Sequence, residues 1–376
     1  MSDTRSADEA GSTRAALENE RRTIDRLDAE MLRLFNERLS AATRIGRIKR
    51  QLGLPIVDTT RETHVFERLL ELNRGGLLKN RYVVQVVAAL MAAARDVQGE
   101  AHRPADGFGT PGLFAVFGNP VVHSLSPVMH NAAFTATGYH GVYAAIRVKD
   151  IRPAVSGMRA LGFKGASVTI PHKESVLACL DYVDPAAARI KAVNTVVNDG
   201  GALKGFNTDG EGAIRALAGA VALAGKTVAI IGAGGAARAL ADGVCRQGGR
   251  AVVYNRTAAR GESLAADLGV DFRPLAEFAT EGCEIVVNTT PVGMSPGVEE
   301  TPLTRERLRP GLVVMDMVYN PLRTRFLQEA EAAGCTVVDG LAMFVHQGAR
   351  QFELWTGIPA PIEIMRLAVE AELTGA

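Results

Sequence analysis

A lysine directly follows a β-branched run in Val168-Thr169-Ile170-Pro171-His172-Lys173-Glu174, and most lysines so placed are ordinary solvated charges. Chemistry needs partners, and they stand at the ends of other apolar runs. Ser124 and Ser126 lie in HSLSP after the run 113–118, Thr169 and Lys173 follow the third run, Asn194 stands in AVNT and Asp209 in FNTDG. Tyr319 follows DMV, and Gln347 closes GLAMFVHQ. Singly, each is a common cap or turn residue, and Ser126 ahead of Pro127 suits a helix N-cap. Collected at strand ends, where open α/β sheets bind ligands, they describe a cleft. Hydroxyls suit a carboxylate, amides suit ring hydroxyls, and a Lys–Asp pair suits proton transfer.

A second constellation is built on glycine. Residues 227–231 form a strand pattern, Gly232-Ala233-Gly234-Gly235-Ala236-Ala237 a glycine-rich turn, and 238–247 a helix. In that arrangement the glycines admit a pyrophosphate close to the backbone, and the helix N-terminus faces it. After the next strand, where an acidic residue would grip a ribose diol, stand Asn255, Arg256 and Thr257, with Arg260 shortly beyond. Two guanidiniums suit a 2′-phosphate, so the expected cofactor is NADP.

The third constellation is charged. Leu17, Ile24, Leu27, Met31, Leu34, Ile45, Ile48 and Leu52 keep helical three- and four-residue steps. The register through Leu17, Ile24 and Met31 lands on Arg38 before Ile45. A charge on an apolar stripe is costly unless paired, or it snorkels along the stripe. Lys49, 11 residues on, shares the face of Arg38, whereas Arg21, 17 residues back, points elsewhere and suits a reach into a partner chain's site.

Positioning these groups takes more than one domain, and 376 residues allow two or three. Hydrophobic residues at 47% and charged ones at 22% are ordinary for a soluble globular protein. A net charge of +1 gives no reason to expect nucleic acid or an anionic membrane as partner. Cys179, Cys245, Cys283 and Cys335 are far apart, with no CxxC pair and no histidine at metal-ligand spacing. Reduced, mostly buried thiols and no metal are expected. The N-terminus does not look like a signal peptide, and no apolar run nears the roughly 18 residues of a membrane span, so a cytoplasmic protein is expected.

Residues 1–14 are small and polar, which predicts a disordered tail, and 99–112 gather glycine and proline as a linker would. Between them 15–98 has a wholly helical pattern, with a long first helix and shorter ones over 60–73 and 79–98. The first spans about 36 residues, or roughly 54 Å, longer than a domain of this size is wide. A partner chain must cover the surplus stripe, so a homodimer through the helical region is expected. From residue 113 short β-branched strands alternate with helices, the pattern of α/β domains with mainly parallel sheets. A boundary near Asp209 divides a substrate domain (113–209, completed by 341–376) from a nucleotide domain (210–340).

GNPVVHSLSP, VTIPHKE, AVNT, NTDG, GAGGAAR, NRTAAR and the DG-x2-M-x3-Q run resemble the shikimate dehydrogenase family, in its order and over 113–376. The resemblance implies NADPH-dependent reduction of 3-dehydroshikimate to shikimate. It makes Ser124, Ser126 and Tyr319 the carboxylate seat, gives ring hydroxyls to Thr169, Asn194 and Gln347, and makes Lys173 and Asp209 the catalytic pair. The cofactor would lie on Gly232, Ala233, Gly234, Gly235, Ala236, Asn255, Arg256, Thr257, Arg260 and Gly340. Quinate-using relatives are the nearest competitor; the Asn-Arg-Thr stretch and serine at 126 favour shikimate and NADP.

Over 15–98 the chain resembles the all-helical chorismate mutase family, through Arg21, Arg38, Lys49, Asp58, Arg61, Glu62 and Gln98. That likeness gives chorismate's carboxylates to Arg21, Arg38 and Arg61, its ether oxygen to Lys49 and Gln98, and its ring hydroxyl to Glu62 aided by Asp58. Ala94 departs from the family, which often has serine there. The implied architecture is multidomain: an all-α three-helix chorismate mutase-like domain, then an α/β substrate domain and a Rossmann NADP-binding domain. Two rivals are a dehydrogenase whose helical region only dimerises or senses an effector, and a non-catalytic NADP-responsive regulator.

Overall fold

The structure, a computed structural model, describes residues 3–99 and 110–374, so most of the expected linker lies outside the described residues. Three helices come first: α1 (Asp3–Leu52), α2 (Thr59–Leu72) and α3 (Asn80–Gln98). The expected tail is corrected here. From Asp3 onward it continues α1, and apart from Gly11 the stretch holds no helix breaker. Met1 and Ser2 lie outside the described residues. Gly53 ends the first helix at a φ of +66°, and Asp58 caps the second by accepting the Arg61 N–H at 2.9 Å. Much of the α1 stripe is uncovered: Ile24 is 57% and Leu52 65% exposed.

Two six-stranded sheets follow. The first is built from β1 (Gly112–Gly118), α4 (Ser126–Thr137), β2 (Gly141–Arg147), α5 (Ile151–Leu161), β3 (Phe163–Val168), β4 (Tyr182–Val183), α6 (Pro185–Ile190), β5 (Thr195–Asp199) and β6 (Ala202–Phe206). Its strand order is β2-β1-β3-β5-β6-β4, parallel at β1 and antiparallel where β5 meets β3 and β6. Side chains alternate across it with a period of two: Phe114 and Val116 enter the core on one face, Ala115 and Phe117 that on the other.

Helix α7 (Asp209–Ala218) leads to the second sheet. It comprises β7 (Thr227–Ile231), α8 (Gly235–Arg246), β8 (Arg250–Asn255), α9 (Ala258–Leu268), β9 (Asp271–Pro274), β10 (Ile285–Asn288), β11 (Val313–Asp316), α10 (Arg325–Ala332) and β12 (Thr336–Val338). All its strands are parallel, in the order β12-β11-β10-β7-β8-β9. That is the doubly wound dinucleotide topology, whose crevice opens between its first and fourth strands, here β7 and β10. The short strands β4, β6 and β9 carry little apolar pattern and escape sequence reading. Helices α11 (Gly340–Thr356) and α12 (Ile362–Thr374) return to the first sheet, where Phe352, Trp355, Met365 and Val369 join the core of Phe114 and Phe134.

The helical region does not stand apart from the rest. Phe66 of α2 and Val83, Val84, Val87, Ala88 and Met91 of α3 share one core with Ala132 and Ala136 of α4 and with Ile364, Leu367, Ala368 and Ala371 of α12. Arg81 and Glu372 pair at 3.4 Å at its edge. The four cysteines are free thiols, but only Cys283 is buried and Cys245 is exposed, which corrects the expectation that most are buried.

Candidate active sites

Lys173 stands in the turn after β3, ahead of a short 3-10 helix, and two bonds fix its backbone. The neighbouring His172 ring meets the Val148 carbonyl at 2.7 Å, and the Lys173 carbonyl accepts the Val193 N–H at 2.8 Å. Its Nζ then reaches Asp209 Oδ2 at 2.5 Å. Asp209 opens α7, where the free N–H groups of the first turn favour a negative charge. Its other oxygen accepts from Asn194 Nδ2 at 2.8 Å. Lysine and carboxylate are both largely shielded from water, at 20% and 7% side-chain exposure.

Of the remaining groups, Asn194 and Gln347 join this pair. Buried Asn194 also meets Gln347 Oε1 at 3.5 Å. Thr169 follows β3 beside Gly118, where an added Cβ would come within 2.4 Å of the Thr169 methyl. The Ser126 capping expectation is corrected: Ser126 is the first residue of α4, and its N–H donates to Ser124 Oγ at 3.3 Å. As the first residue inside the helix, Ser126 has no capping role, and its buried side chain lies near the Tyr143 phenol. Tyr319 stacks on Phe344 with centroids 4.3 Å apart, and its phenol, pushed up by burial, lies near the Leu125 backbone between the two serines.

The glycine-rich turn closes the other side. Gly232 has φ +117° and would drive a Cβ into Thr289 Oγ1 at 2.5 Å, so no other residue fits there. Gly234 precedes α8 without a side-chain cap, leaving the helix N–H groups open to an anion. A Cβ on Gly235 would lie 3.6 Å from Lys173 Cδ, so the turn abuts the lysine. Asn255 folds back on the Thr257 carbonyl at 2.8 Å. Arg256 follows the end of β8 and Arg260 lies in the first turn of α9; both are exposed and make no ion pair or hydrogen bond among the described residues. Open N–H groups and two free guanidiniums fit a dinucleotide carrying a 2′-phosphate. Gly340 serves packing as well: a Cβ there would meet the Val318 carbonyl at 2.5 Å.

In the helical region Arg38 reaches across to α3, donating to the Leu90 carbonyl at 3.1 Å and to Met91 Sδ at 3.6 Å, and its burial lowers its pKa. Lys49 donates to the Ile56 carbonyl at 2.7 Å. Gln98 is buried against Gly46, and Arg50 holds its carbonyl at 2.7 Å. Glu62 is gripped by Arg95 through two bonds of 2.5 and 3.2 Å, a partner no sequence argument named. Asp58, cast as Glu62's aide, serves as the cap of α2, and Arg61 is exposed beside it. Arg21 is not brought to this group: it pairs with Glu18 at 3.3 Å, on an exposed turn of α1.

Residues 116–196 match the family model of the shikimate dehydrogenase substrate binding domain, and 340–370 that of the shikimate 5'-dehydrogenase C-terminal domain. The shikimate dehydrogenase (NADP(+)) of Moorella thermoacetica is 50% identical over 268 residues, 68% of this chain and 91% of the relative. The chain belongs to the shikimate dehydrogenase family. The Symbiobacterium thermophilum shikimate dehydrogenase (NADP(+)) is 48% identical over 70% of this chain and 95% of its own. Shikimate 5-dehydrogenase from Thermus thermophilus, solved with NADP(H) and shikimate, superposes with a TM-score of 0.65 at 42% identity, over 69% of this chain and 99% of its own. Residues 227–319 match NADP oxidoreductase coenzyme F420-dependent, and 20–99 match chorismate mutase type II. The protein is thus a bifunctional shikimate-pathway enzyme, an NADP-dependent shikimate dehydrogenase with a chorismate mutase domain ahead of it.

Behind the dehydrogenase cleft lie polar residues that the motifs did not single out: Tyr143, Ser167, Thr195, Thr208 and Gln351. Gln351 sits four residues after Gln347 on α11, one turn along the same helix face, and that spacing was the available signal. His130 is fully buried, stacks on Tyr143 with centroids 4.5 Å apart, and finds no hydrogen-bond partner for either ring nitrogen. No group of His, Cys, Asp and Glu among the described residues could hold a metal ion, and no described helix is long and apolar enough to cross a membrane.

Proposed function

We propose that Lys173 and Asp209 are the catalytic pair of the dehydrogenase, and that the 2.5 Å contact between them beside the glycine-rich turn carries the reading. Bound NADPH supplies a hydride to the substrate ketone. The oxygen left behind gathers negative charge and needs a proton donor at once. The Lys173 ammonium, held by Asp209, gives that proton, and its charge attracts the developing oxyanion beforehand. Ser124, Ser126 and Tyr319 seat the substrate carboxylate, while Thr169, Asn194 and Gln347 hold ring hydroxyls. The 2′-phosphate rests on Arg256 and Arg260, with Asn255 and Thr257 beside the ribose.

The mutase half works by a clamp. Rearrangement of chorismate needs no base, only two carboxylates held in a reactive pose and charge stabilised on the breaking ether oxygen. Arg38 and Arg61 take carboxylates, Lys49 and Gln98 face the ether oxygen, and Glu62 holds the ring hydroxyl. Arg21 completes the site from a second copy of the chain, in a cytoplasmic homodimer formed through α1. The uncovered apolar stripe supports that assembly.

The test of the catalytic pair is Lys173→Ala in the full-length protein. Reductase turnover is expected to fall by about 10²–10⁴, the range for a lost general acid, with NADPH binding unchanged. Turnover at the wild-type level would return Lys173 to the solvated class.

A further inference from the structure

Six side chains form a buried hydrogen-bond series behind the dehydrogenase cleft. Tyr143 O–H donates to Ser167 Oγ at 2.6 Å, and Ser167 donates to Gln351 Oε1 at 2.8 Å. Gln351 Nε2 donates to Thr195 Oγ1 at 3.0 Å and to the Asn194 carbonyl at 3.2 Å. Thr195 donates to Asn194 Oδ1 at 2.7 Å, and Asn194 Nδ2 to Asp209 Oδ1 at 2.8 Å. All six are buried. At the far end the Ser126 side chain approaches the Tyr143 phenol.

The series has only one sense. Asn194 Oδ1 faces the Thr208 backbone N–H at 2.9 Å, which can only donate, and Asn194 Nδ2 faces a carboxylate, which can only accept. Turning that amide over would set two oxygens 2.8 Å apart. The amide orientation then commits the single Thr195 proton to Asn194, so Thr195 must accept from Gln351. Gln351 must in turn present its oxygen to Ser167, and Ser167 must accept from Tyr143. An apolar filling of this space would avoid the desolvation of so many polar groups, whereas here each one is satisfied and the last bond falls on Asp209.

We propose that Gln351, backed by Ser167 and Tyr143, is a positioning relay that fixes the Asn194 amide and thereby the Lys173–Asp209 pair, tying that pair to the Ser126 end of the cleft. The proposal rests on Lys173 and Asp209 being the catalytic pair. None of the three relay residues needs to touch substrate; each acts through Asn194.

Gln351→Glu in the full-length protein tests it. A neutral carboxyl has one donor and one acceptor, so it keeps the acceptance from Ser167 and one of the two glutamine donations; an ionised one only accepts and can donate to neither Thr195 nor Asn194. The groups facing the new carboxyl are His130 from α4, Tyr143 from β2 and, beyond Asn194, Asp209 with Lys173. On α11 itself Arg350 pairs outward with Glu353 at 3.5 Å and with Glu211 of α7 at 3.4 Å. Burial keeps His130 neutral and raises Tyr143, so neither changes charge between about pH 6 and pH 9.

The ratio of wild-type to variant kcat is expected to climb with pH, from a small deficit left by the one missing donation, by about a further ten- to a hundred-fold, the size of one lost charge-linked hydrogen bond. KM for NADPH should not move. Gln351→Met, which fills similar space and breaks the relay at every pH, should show a pH-independent loss of kcat. A wild-type kcat in Gln351→Met, or a Gln351→Glu deficit that is flat across pH, overturns the relay. So does a deficit that follows the melting temperature of the variant at each pH. If Lys173→Ala is inactive while both Gln351 variants match wild type, only the relay fails. If Lys173→Ala keeps its turnover, the catalytic pair itself is misassigned.

Discussion

Arg21 and Arg38 lie 17 residues apart on one uninterrupted helix, so they stand about 26 Å apart along its axis at ~1.5 Å per residue. Two arginine side chains cannot close on one small dianion across that distance. A mutase site that uses both must take Arg21 from one copy of the chain and Arg38, with Lys49, from the other. The prediction is made by mixing. Arg21→Ala and Arg38→Ala chains are each expected to be inactive as homodimers, since each lacks a carboxylate clamp in both sites. In a mixed dimer one site carries both lesions and the other carries neither. Random exchange makes about half of all dimers mixed, each with one of two sites intact, so the pool should recover about a quarter of wild-type mutase activity. Chorismate consumption measures it, after denaturation and joint refolding with exchange verified by differently tagged chains. Dehydrogenase activity, whose groups all converge within one chain, is the control and should not respond to mixing. Mutase activity that stays at the single-variant level despite verified exchange refutes the shared site.

Two further outcomes are expected. Replacing Arg256 and Arg260 with glutamine should raise KM for NADPH far more than KM for NADH, because only the former carries the 2′-phosphate; equal changes for both refute the grip. His130, pushed down to about 3 by burial, has a folded pKa below its unfolded value near 6.5, so the folded state resists protonation and stability is lost as pH falls below about 6.5. Moving from pH 7 to pH 5 should cost about 2 kcal/mol through this ring, and His130→Phe should remove that part of the slope in thermal unfolding; an unchanged slope rejects the assignment.

The groups proposed to meet ligands were legible because each follows an apolar run and stands in a short motif, so strand ends could be found and compared. The residues that hold them were not. Tyr143, Ser167 and Thr195 lie inside strands, where alternation reads them as ordinary members of a face, and only the pairing of β3 with β5 and the return of α11 set them side by side. Arg95 was missed for a similar reason: its carboxylate partner Glu62 is on another helix, 33 residues away. Short strands such as Tyr182–Val183 exist because neighbouring strands offer unpaired backbone groups, a cause that local composition does not carry.

The relation of the two enzymes was the least legible feature, yet one signal for it was present. Helix α3 (NRYVVQVVAALMAAARDVQ) is apolar nearly all round, which marks a helix covered on more than one side. One side meets α1, where Arg38 and Gln98 gather; another meets α4 and α12 of the dehydrogenase. Helix α4 begins at Ser126, so the helix against which the mutase domain packs is the one that opens at the proposed carboxylate seat. Cutting the chain at the glycine- and proline-rich stretch would expose Phe66, Val84, Val87 and Ala88 on one fragment and Ala136, Ile364 and Ala368 on the other. Stripping a buried phenylalanine of its packing alone costs about 3–5 kcal/mol, a large part of an ordinary domain's stability. Activity lost on excision would therefore report an opened core and say nothing about the mutase residues, so both reactions have to be assayed on the intact chain.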